Sequence, residues 1–518
     1  MLAFSDTLSI LREILQPLEV VETHISVVFL TSEYVYKVKK ELSLGFLDFR
    51  TLEQRKKYSL LEKELNSRFC SGIYLEVLKL VRQKQRYRLL PLEAKPTALE
   101  YVLKMKRIPS TSFLSYQLKH DSLTQQQLHQ LGEEIAILLK NLPSNLEDAK
   151  RWGNHDVICK NVQENFEQTK RFQHRFPYFS SMQQAMNRFL HQHKSLFQSR
   201  VEKHIKDGHG DLRLEHVFWH QGKWQMLDCI EFNHRFRFND VVAEVGFLAM
   251  EFDKEGKVEL SDALMKGFFK IYHDQASRSL LNFYKCYRAH VRAKVIGFLL
   301  EEKGKSWPNF HQKRKEFERL AQLASFYSLH LEKPKHIVLY GLMGTGKSTL
   351  ASHLLKNFPL SYKNTDQLRK QRHHLAPDTK VYEEYGKGIY SKQHSLELYQ
   401  DLANFVKRKD QLARATLLDG SFSDPRYWAF FSPSCHLVKV LLTAPEDAIL
   451  ARLKKRESEP SISDGRESIF AQQKRNACFV PADFTLNTAH PIQKNIESLI
   501  QFLFFSRCPP RMAGDERN

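Results

Sequence analysis

The sequence predicts two domains: an N-terminal α+β part and a C-terminal α/β part with a mainly parallel sheet. Three observations carry this. Gly341–Ser348 reads GLMGTGKS, the pattern G-x-x-x-x-G-K-[ST], directly after the apolar run HIVLY and before a helical pattern at Thr349–Lys356. His209–Asp211 reads HGD and is followed by DCIEF at Asp228–Phe232. Glu332–Lys335, EKPK, separates strands followed by helices from a stretch in which short apolar strands alternate with helices. The expected division is therefore a domain at 1–331, a linker at 332–335, a domain at 336–505 and a disordered tail at 506–518, SRCPPRMAGDERN.

The elements follow in order. The first residues, MLAFSDTLSILREIL, carry Asp6 and Glu13 with no basic stretch ahead of the apolar positions, so they read as an amphipathic helix and not as a signal peptide. Val21–Lys40 alternates as a hairpin with its turn near Thr31–Glu33. Leu52–Asn66 has helical periodicity; Ile73–Leu80, Tyr87–Leu90 and Glu100–Met105 read as strands. Thr124 to about Phe197 is mostly helical. Phe218–His220 and Trp224–Leu227 are short strands between the two acidic motifs, and Ser277–Glu302 and Gln312–Leu331 are long helices. After the linker, strands are expected at HIVLY, Thr416–Leu418, Leu437–Thr443 and Phe484–Leu486.

Composition narrows the class. The chain has 518 residues, 42% hydrophobic and 27% charged, which is enough to bury full cores. Its seven cysteines are scattered with no C-x-x-C, which points to reduced thiols in a cytoplasmic protein and away from a disulfide framework or a zinc site. No apolar run is long enough to span a bilayer. The net charge of +20 favours polyanionic partners: nucleotides, phosphorylated metabolites or nucleic acid. No RRM, KH or zinc-finger module is present to make nucleic acid the specific choice.

The C-terminal motif carries the clearest chemistry. Backbone N–H groups of such a loop wrap phosphates, and the helix behind it turns the positive end of its dipole toward them. Gly341, Gly344 and Gly346 allow the close approach, and Leu342, Met343, Thr345 and Thr349 complete the cradle for ATP. Lys347 reaches the β- and γ-phosphates, and Ser348 ligates Mg²⁺. Thr416–Phe422, TLLDGSF, is an apolar strand ending in Asp419, where an acidic group holds the Mg²⁺ shell. Asn364–Arg369, NTDQLR, sets Asp366 to accept a proton from a substrate hydroxyl and Arg369 to clamp an anion; a helix cap beside a surface arginine is the alternative. Arg452, Arg456 and Arg466 flank the polar loop ESEPSISDG, either a lid that brings guanidinium groups onto the transferring phosphate or a solvated basic helix end.

Together these residues resemble the small P-loop kinases of the gluconate, shikimate and zeta-toxin type, which implies ATP-dependent phosphorylation of a small hydroxylated molecule. The N-terminal motifs resemble the aminoglycoside and choline phosphotransferases, with a protein-kinase-like fold. The wider run HGDLRLEHV, LDCIEFNHRFRFNDVVAEVGFLAM and YKCYRAHVRAKV, with a P-loop half following, resembles two-domain bacterial proteins described as bifunctional aminoglycoside phosphotransferase/ATP-binding proteins. That resemblance implies Asp211 as catalytic base, Asp228 as metal ligand, Lys37 or Lys39 as the strand lysine on the α- and β-phosphates, and Glu64 as its helix partner. Five residues after the base such proteins usually place a metal-ligating Asn; here that metal position is His216, and imidazole is a poor Mg²⁺ ligand. No glycine-rich loop is legible between the first strands. Arg288 and Arg292 share a helix face and suit either a substrate phosphate or ion pairs to a neighbouring helix.

The expectation is thus a kinase with an alcohol group as acceptor, using ATP and Mg²⁺. Two other readings stay open. One is a nucleotide-binding regulatory ATPase with a pseudokinase-like N-terminal sensor, suggested by His216. The other is a polynucleotide 5′-hydroxyl kinase, suggested by the charge.

Overall fold

The computed structural model describes residues 3–45, 47–457 and 464–505. Residues 458–463 of the expected lid, and the expected disordered tail from Ser506 with Cys508, lie outside the described residues. Two compact units are formed. One comprises Met1–Gln163, Gln192–Glu251 and Ala263–Asp274; the other comprises Glu164–His191, Phe252–Asp262 and Gln275–Asn518. The expected linker at 332–335 falls inside the second unit.

The first unit opens with α1 (Phe4–Leu15), β1 (Glu19–Glu22), β2 (Ser26–Leu30) and β3 (Tyr34–Lys39). The expected hairpin over Val21–Lys40 is a three-strand meander, because Thr23 makes a turn of its own: its hydroxyl accepts from Ser26 N–H and donates to Ser26 O, both at 3.0 Å. Next come α2 (Leu52–Asn66), β4 (Tyr74–Gln83), β5 (Arg86–Pro91) and β6 (Glu100–Lys106). The sheet has the order β1-β2-β3-β6-β4-β5 and is antiparallel throughout. Val38, Phe29, Leu80 and Val102 pack with Leu11 of α1. Lys37 and Lys39 flank Val38 and so emerge on the opposite face of the sheet. Helix α2 begins at Thr51, whose side chain accepts from Gln54 N–H, and it buries Arg55, Ser59, Glu62, Leu65 and Asn66. A buried Arg55–Glu100 pair at 2.9 Å ties it to β6.

Helices α3 (Leu114–Lys119), α4 (Gln125–Asn141), α5 (Leu146–Trp152), α6 (His155–Thr169), α7 (Phe179–Gln192) and α8 (Lys194–Arg200) follow. Then β7 (Ile205–Asp207), β8 (Val217–His220), β9 (Lys223–Met226), α9 (His234–Arg237) and β10 (Phe238–Asp240) form two short antiparallel pairs, β7 with β10 and β8 with β9. The β8–β9 hairpin folds the chain back so that Leu227 N–H donates to His216 O at 2.9 Å. That single turn brings the HGD loop, which precedes β8, beside Asp228, which follows β9. Helices α10 (Val241–Lys254), α11 (Val258–Ile271), α12 (Gln275–Lys303) and α13 (Phe310–Ser328) complete the helical part.

The sheet of the second unit comprises β11 (Lys335–Tyr340), β12 (Ser361–Asn364), β13 (Thr416–Asp419), β14 (His436–Thr443) and β15 (Phe484–Asn487), in the order β12-β13-β11-β14-β15 and all parallel. The linking helices are α14 (Lys347–Asn357), α15 (Thr365–Arg372), α16 (Lys392–Asp410), α17 (Glu446–Glu457) and α18 (Glu467–Asn476), with α19 (Ile492–Phe505) last. Parallel pairing gathers the carboxyl ends of β11, β12 and β13 at one edge, with Asp419 opposite both Leu339 and Asn364. No helix among the described residues is long and apolar enough to cross a membrane.

Beneath the sheet lies a buried ionic cluster, all of it within the second unit. Arg414, just ahead of β13, donates to Asp253 of α10 through both terminal nitrogens at 3.0 and 2.8 Å, and to Asp262 of α11 through Nε at 2.7 Å. Asp253 also accepts from Lys285 of α12 at 3.0 Å and from Tyr327 of α13 at 2.6 Å. Burial would raise the Asp253 pKa, but Arg414 and Lys285 reverse this and hold it at about 2. Removing one partner of such a pair strands the other charge in a low dielectric. Arg414→Met is therefore expected to destabilise this unit by about 3–5 kcal/mol, read by calorimetry. The depressed carboxylate contributes stability above its unfolded pKa and loses it as pH falls toward the folded value. Between about pH 4 and pH 2 the parent should lose about 2 kcal/mol more stability than Asp253→Asn.

Candidate functional site

Two sites emerge. In the first unit, Lys37 donates to Glu62 at 2.8 Å and to Asp228 at 2.7 Å. Lys39 donates to the other oxygen of Glu62 at 2.7 Å and pairs with Glu231. Burial disfavours both ammonium groups. For Lys37 the carboxylates of Asp228, Glu62 and Glu231 outweigh burial and raise its pKa well above the ordinary value. The enclosure of the site would raise the Asp228 pKa, but Lys37, then His216, hold it well below the usual carboxylate range. Asp228 takes a left-handed backbone, φ 65°, with its N–H on the Tyr74 hydroxyl at 3.0 Å. That conformation turns its carboxylate back toward Lys37.

His209 organises the opposite side. Its Nε2 lies 2.9 Å from Leu227 O and so carries the proton, leaving Nδ1 to accept from Asp211 N–H at 3.3 Å. Burial lowers its pKa to about 4. The ring thereby bonds the backbone at Asp211 and at the residue before Asp228, and Gly210 N–H is held by Glu244 at 2.9 Å. Asp211 receives Arg213 Nε at 3.0 Å, and His216 Nδ1 lies 2.7 Å from Asp211 O.

Lys37, Lys39, Asp211, His216 and Asp228 are thus brought together. Glu64 is not: it is exposed, and Glu62, 1% exposed, takes the role expected of it. The reason is helical phase. Glu62 lies on the buried stripe with Arg55, Ser59 and Asn66, and a residue two positions on points away. Glu231, Arg213 and Tyr74 were not anticipated; only the acidic run DCIEF hinted at the first.

In the second unit, the loop after β11 runs through left-handed glycines into α14. A Cβ on Gly341 would lie 2.5 Å from Leu442 O, and one on Gly344 would lie 2.8 Å from Ile449 Cγ2, so both positions require glycine. Lys347 folds back onto the loop, donating to Gly341 O at 3.0 Å and Leu342 O at 2.8 Å. Its pKa is lowered by burial, opposed by Asp419 and Asp366, with Arg456 adding to the lowering. Ser348 donates to Asp419 Oδ2 at 2.7 Å. The same oxygen accepts from Asn364 at 2.9 Å and Tyr362 at 3.1 Å.

Residues 337–472 match the family model described as an AAA domain. An uncharacterized protein of Mycobacterium tuberculosis is 27% identical over 413 residues, 79% of this chain and 79% of its own length. Among solved structures, a sugar kinase from a Janibacter species is similar with TM-score 0.27 and 18% identity, over 33% of this chain and 94% of its own. A choline/ethanolamine kinase family protein from Mesorhizobium loti has TM-score 0.32 and 14% identity, over 59% of this chain and 87% of its own. The chain joins an antiparallel α+β part, with its strand-lysine and helix-glutamate pair, to a parallel sheet whose glycine loop lies within the matched AAA domain.

The remaining expected residues separate. Helix α15 is capped by Asn364, whose side chain accepts from Gln367 N–H, so Asp366 in its first turn is not the cap. Arg369 is buried and donates to Ile389 O at 2.7 Å. Arg452 is held by Gly344 O at 3.3 Å and by both oxygens of Thr488 at 2.9 Å. It walls the loop, whereas Arg456 is felt at Lys347. Arg466 donates to Glu383 O at 2.6 Å. A pocket of about 310 Å³ opens beside the loop, lined by Gly346, Thr349, Arg452, Arg456, Thr488 and His490. Thr488 and His490 follow β15, with no motif to announce them. Arg292 lies 3.9 Å from Glu316 of α13, as expected of an ion pair between helices.

Because Glu62 answers two buried ammonium groups, Glu62→Gln is expected to lower the stability of the first unit by about 3–5 kcal/mol. Glu64→Gln should leave it within about 0.5 kcal/mol of the parent. Calorimetry on the two variants checks this, and equal losses would refute the assignment.

Proposed function

We propose that the chain is an ATP-dependent phosphotransferase whose C-terminal site transfers the γ-phosphoryl group to a hydroxyl of a small molecule. The observation that carries this reading is the convergence on Lys347. Ser348 donates to Asp419 at 2.7 Å, and the charges of Asp419, Asp366 and Arg456 all bear on Lys347. A hydroxyl joined to a carboxylate is the hard-oxygen donor pair that Mg²⁺ takes when phosphates complete its shell. Ser348 and Asp419 would hold that ion, which supplies charge neutralisation at the β- and γ-phosphates.

The chain's own groups do the rest. Lys347 exchanges the two loop carbonyls for phosphate oxygens, at little cost because both are charge-assisted bonds. Asp366 accepts the proton of the acceptor hydroxyl as that oxygen bonds to the γ-phosphorus and the bond to the β–γ bridging oxygen breaks, releasing ADP. Arg456 stabilises the equatorial oxygens, and the pocket beside Thr349, Arg452 and Thr488 takes the nucleoside. In the N-terminal site, Lys37 and Lys39 would meet nucleotide phosphates, Asp228 would hold a divalent ion and Asp211 would face an acceptor. The proposal divides the chain functionally at 332–335.

The test is a screen of cell metabolites with labelled ATP on the full chain. A labelled product is expected. Lys347→Ala should cut turnover by about 10²–10³ and weaken ATP binding, while Asp366→Asn should cut turnover alone by a similar factor. Undiminished turnover and ATP affinity in Lys347→Ala would refute the reading.

A further inference from the structure

The N-terminal loop contains a cation of its own where kinase folds commonly use an ion. In protein kinases two Mg²⁺ serve the nucleotide, one held by an Asp and the other also by a catalytic-loop Asn. The residue at that second position, His216, is buried, and its bonding fixes its tautomer. Nδ1 lies 2.7 Å from Asp211 O, and a carbonyl can only accept, so Nδ1 carries the proton. Nε2 then holds the lone pair, 3.2 Å from Arg213 Nη2. A guanidinium only donates, so the lone pair that would ligate an ion already accepts from Arg213.

The same guanidinium donates through Nε to Asp211 Oδ2 at 3.0 Å and pairs with Glu215 at 3.5 Å. It thereby touches both the carboxylate of Asp211 and the ring of His216. His216 Nε2 is 3.7 Å from Asp228 Oδ2, so this arrangement stands directly beside the carboxylate expected to hold metal. An ion ligated by His216 would have to displace the guanidinium from Nε2, and would gain a nitrogen ligand that Mg²⁺ does not favour.

We propose that Arg213 replaces the second divalent cation of the N-terminal site, which therefore takes its nucleotide with one metal ion, on Asp228. This rests on the reading of that site as nucleotide-binding. Arg213 is then a charge-supplying and positioning residue: it fixes Asp211 toward the acceptor and presents a permanent charge to the phosphate. The guanidinium cannot be removed by a chelator, so the site depends on metal concentration to first order only.

The experiment uses the full chain carrying Lys347→Ala, with Mn²⁺ and a non-hydrolysable ATP analogue. Bound Mn²⁺ is counted by electron paramagnetic resonance, and the ions of the N-terminal site are those lost on adding Asp228→Ala. One ion per bound nucleotide is expected with the native loop, and two once Arg213→Gln and His216→Asn are combined. Two ions with the native loop would overturn the proposal, as would one ion in the combined variant. If that variant does not fold, the native-loop count decides alone. Nucleotide binding that is indifferent to Asp228 would instead overturn the underlying reading, and the proposal with it.

Discussion

A buried positive charge must have a partner, and that constraint organises this molecule. Withdrawing an ammonium or guanidinium from water costs several kcal/mol even after relaxation. Lys37, Lys39, Lys347 and Arg414 are accordingly met by carboxylates or carbonyls. Lys37 and Lys39 share Glu62 and divide Asp228 and Glu231 between them. Lys347 closes on the carbonyls of its own loop. Arg414 is surrounded by Asp253, Asp262, Ser261 and Pro359 O. Under the proposed function, phosphate oxygens would displace the loop carbonyls from Lys347. Arg414 has no such exchange open to it and serves to hold helices against strands.

The same constraint explains what the sequence left unread in the first unit. The strand lysines were legible because β3 alternates. Their glutamate was not, because the buried stripe of α2 is polar: Arg55, Ser59, Glu62 and Asn66 face inward while Leu60 is 39% exposed. Hydrophobic periodicity therefore gives no phase for this helix, and Glu62 and Glu64 look alike along the chain. The pairing of the HGD loop with Asp228 was legible for the opposite reason. Only a short hairpin separates them, so local geometry suffices to join them.

In the second unit, the glycine loop was legible because its chemistry is contiguous: strand, loop and helix follow one another within 23 residues, Lys335–Asn357. The groups around it come from elsewhere. Tyr362, Asn364 and Thr488 arrive through parallel pairing of β12, β13, β14 and β15, which no local pattern encodes. Helices α12 and α13 read correctly as helices but were grouped with what precedes them, whereas compactness groups them with the parallel sheet. Their neighbours Asp253 and Asp262 lie on largely apolar helices with no local partner that the sequence marks out. The arginine that answers them is 161 and 152 residues further on.

Asn364 shows how far preorganisation reaches in this site. Its amide oxygen accepts from Gln367 N–H and so fixes the first turn of α15, where Asp366 sits. Its amide nitrogen donates to Asp419 Oδ2 at 2.9 Å. The orientation of the amide is not arbitrary, since only the nitrogen can face a carboxylate and only the oxygen an N–H. One side chain therefore locks α15, which carries Asp366, to Asp419 at a fixed spacing. Asp419 Oδ2 takes three donors, from Ser348, Tyr362 and Asn364, more than its two lone pairs serve well. Turning the Ser348 hydroxyl toward an ion would relieve that crowding while Asn364 and Tyr362 keep the carboxylate aimed. Under the proposed function, charge neutralisation and acceptor activation would then need no rearrangement of the framework, which is the condition under which electrostatic catalysis is most effective.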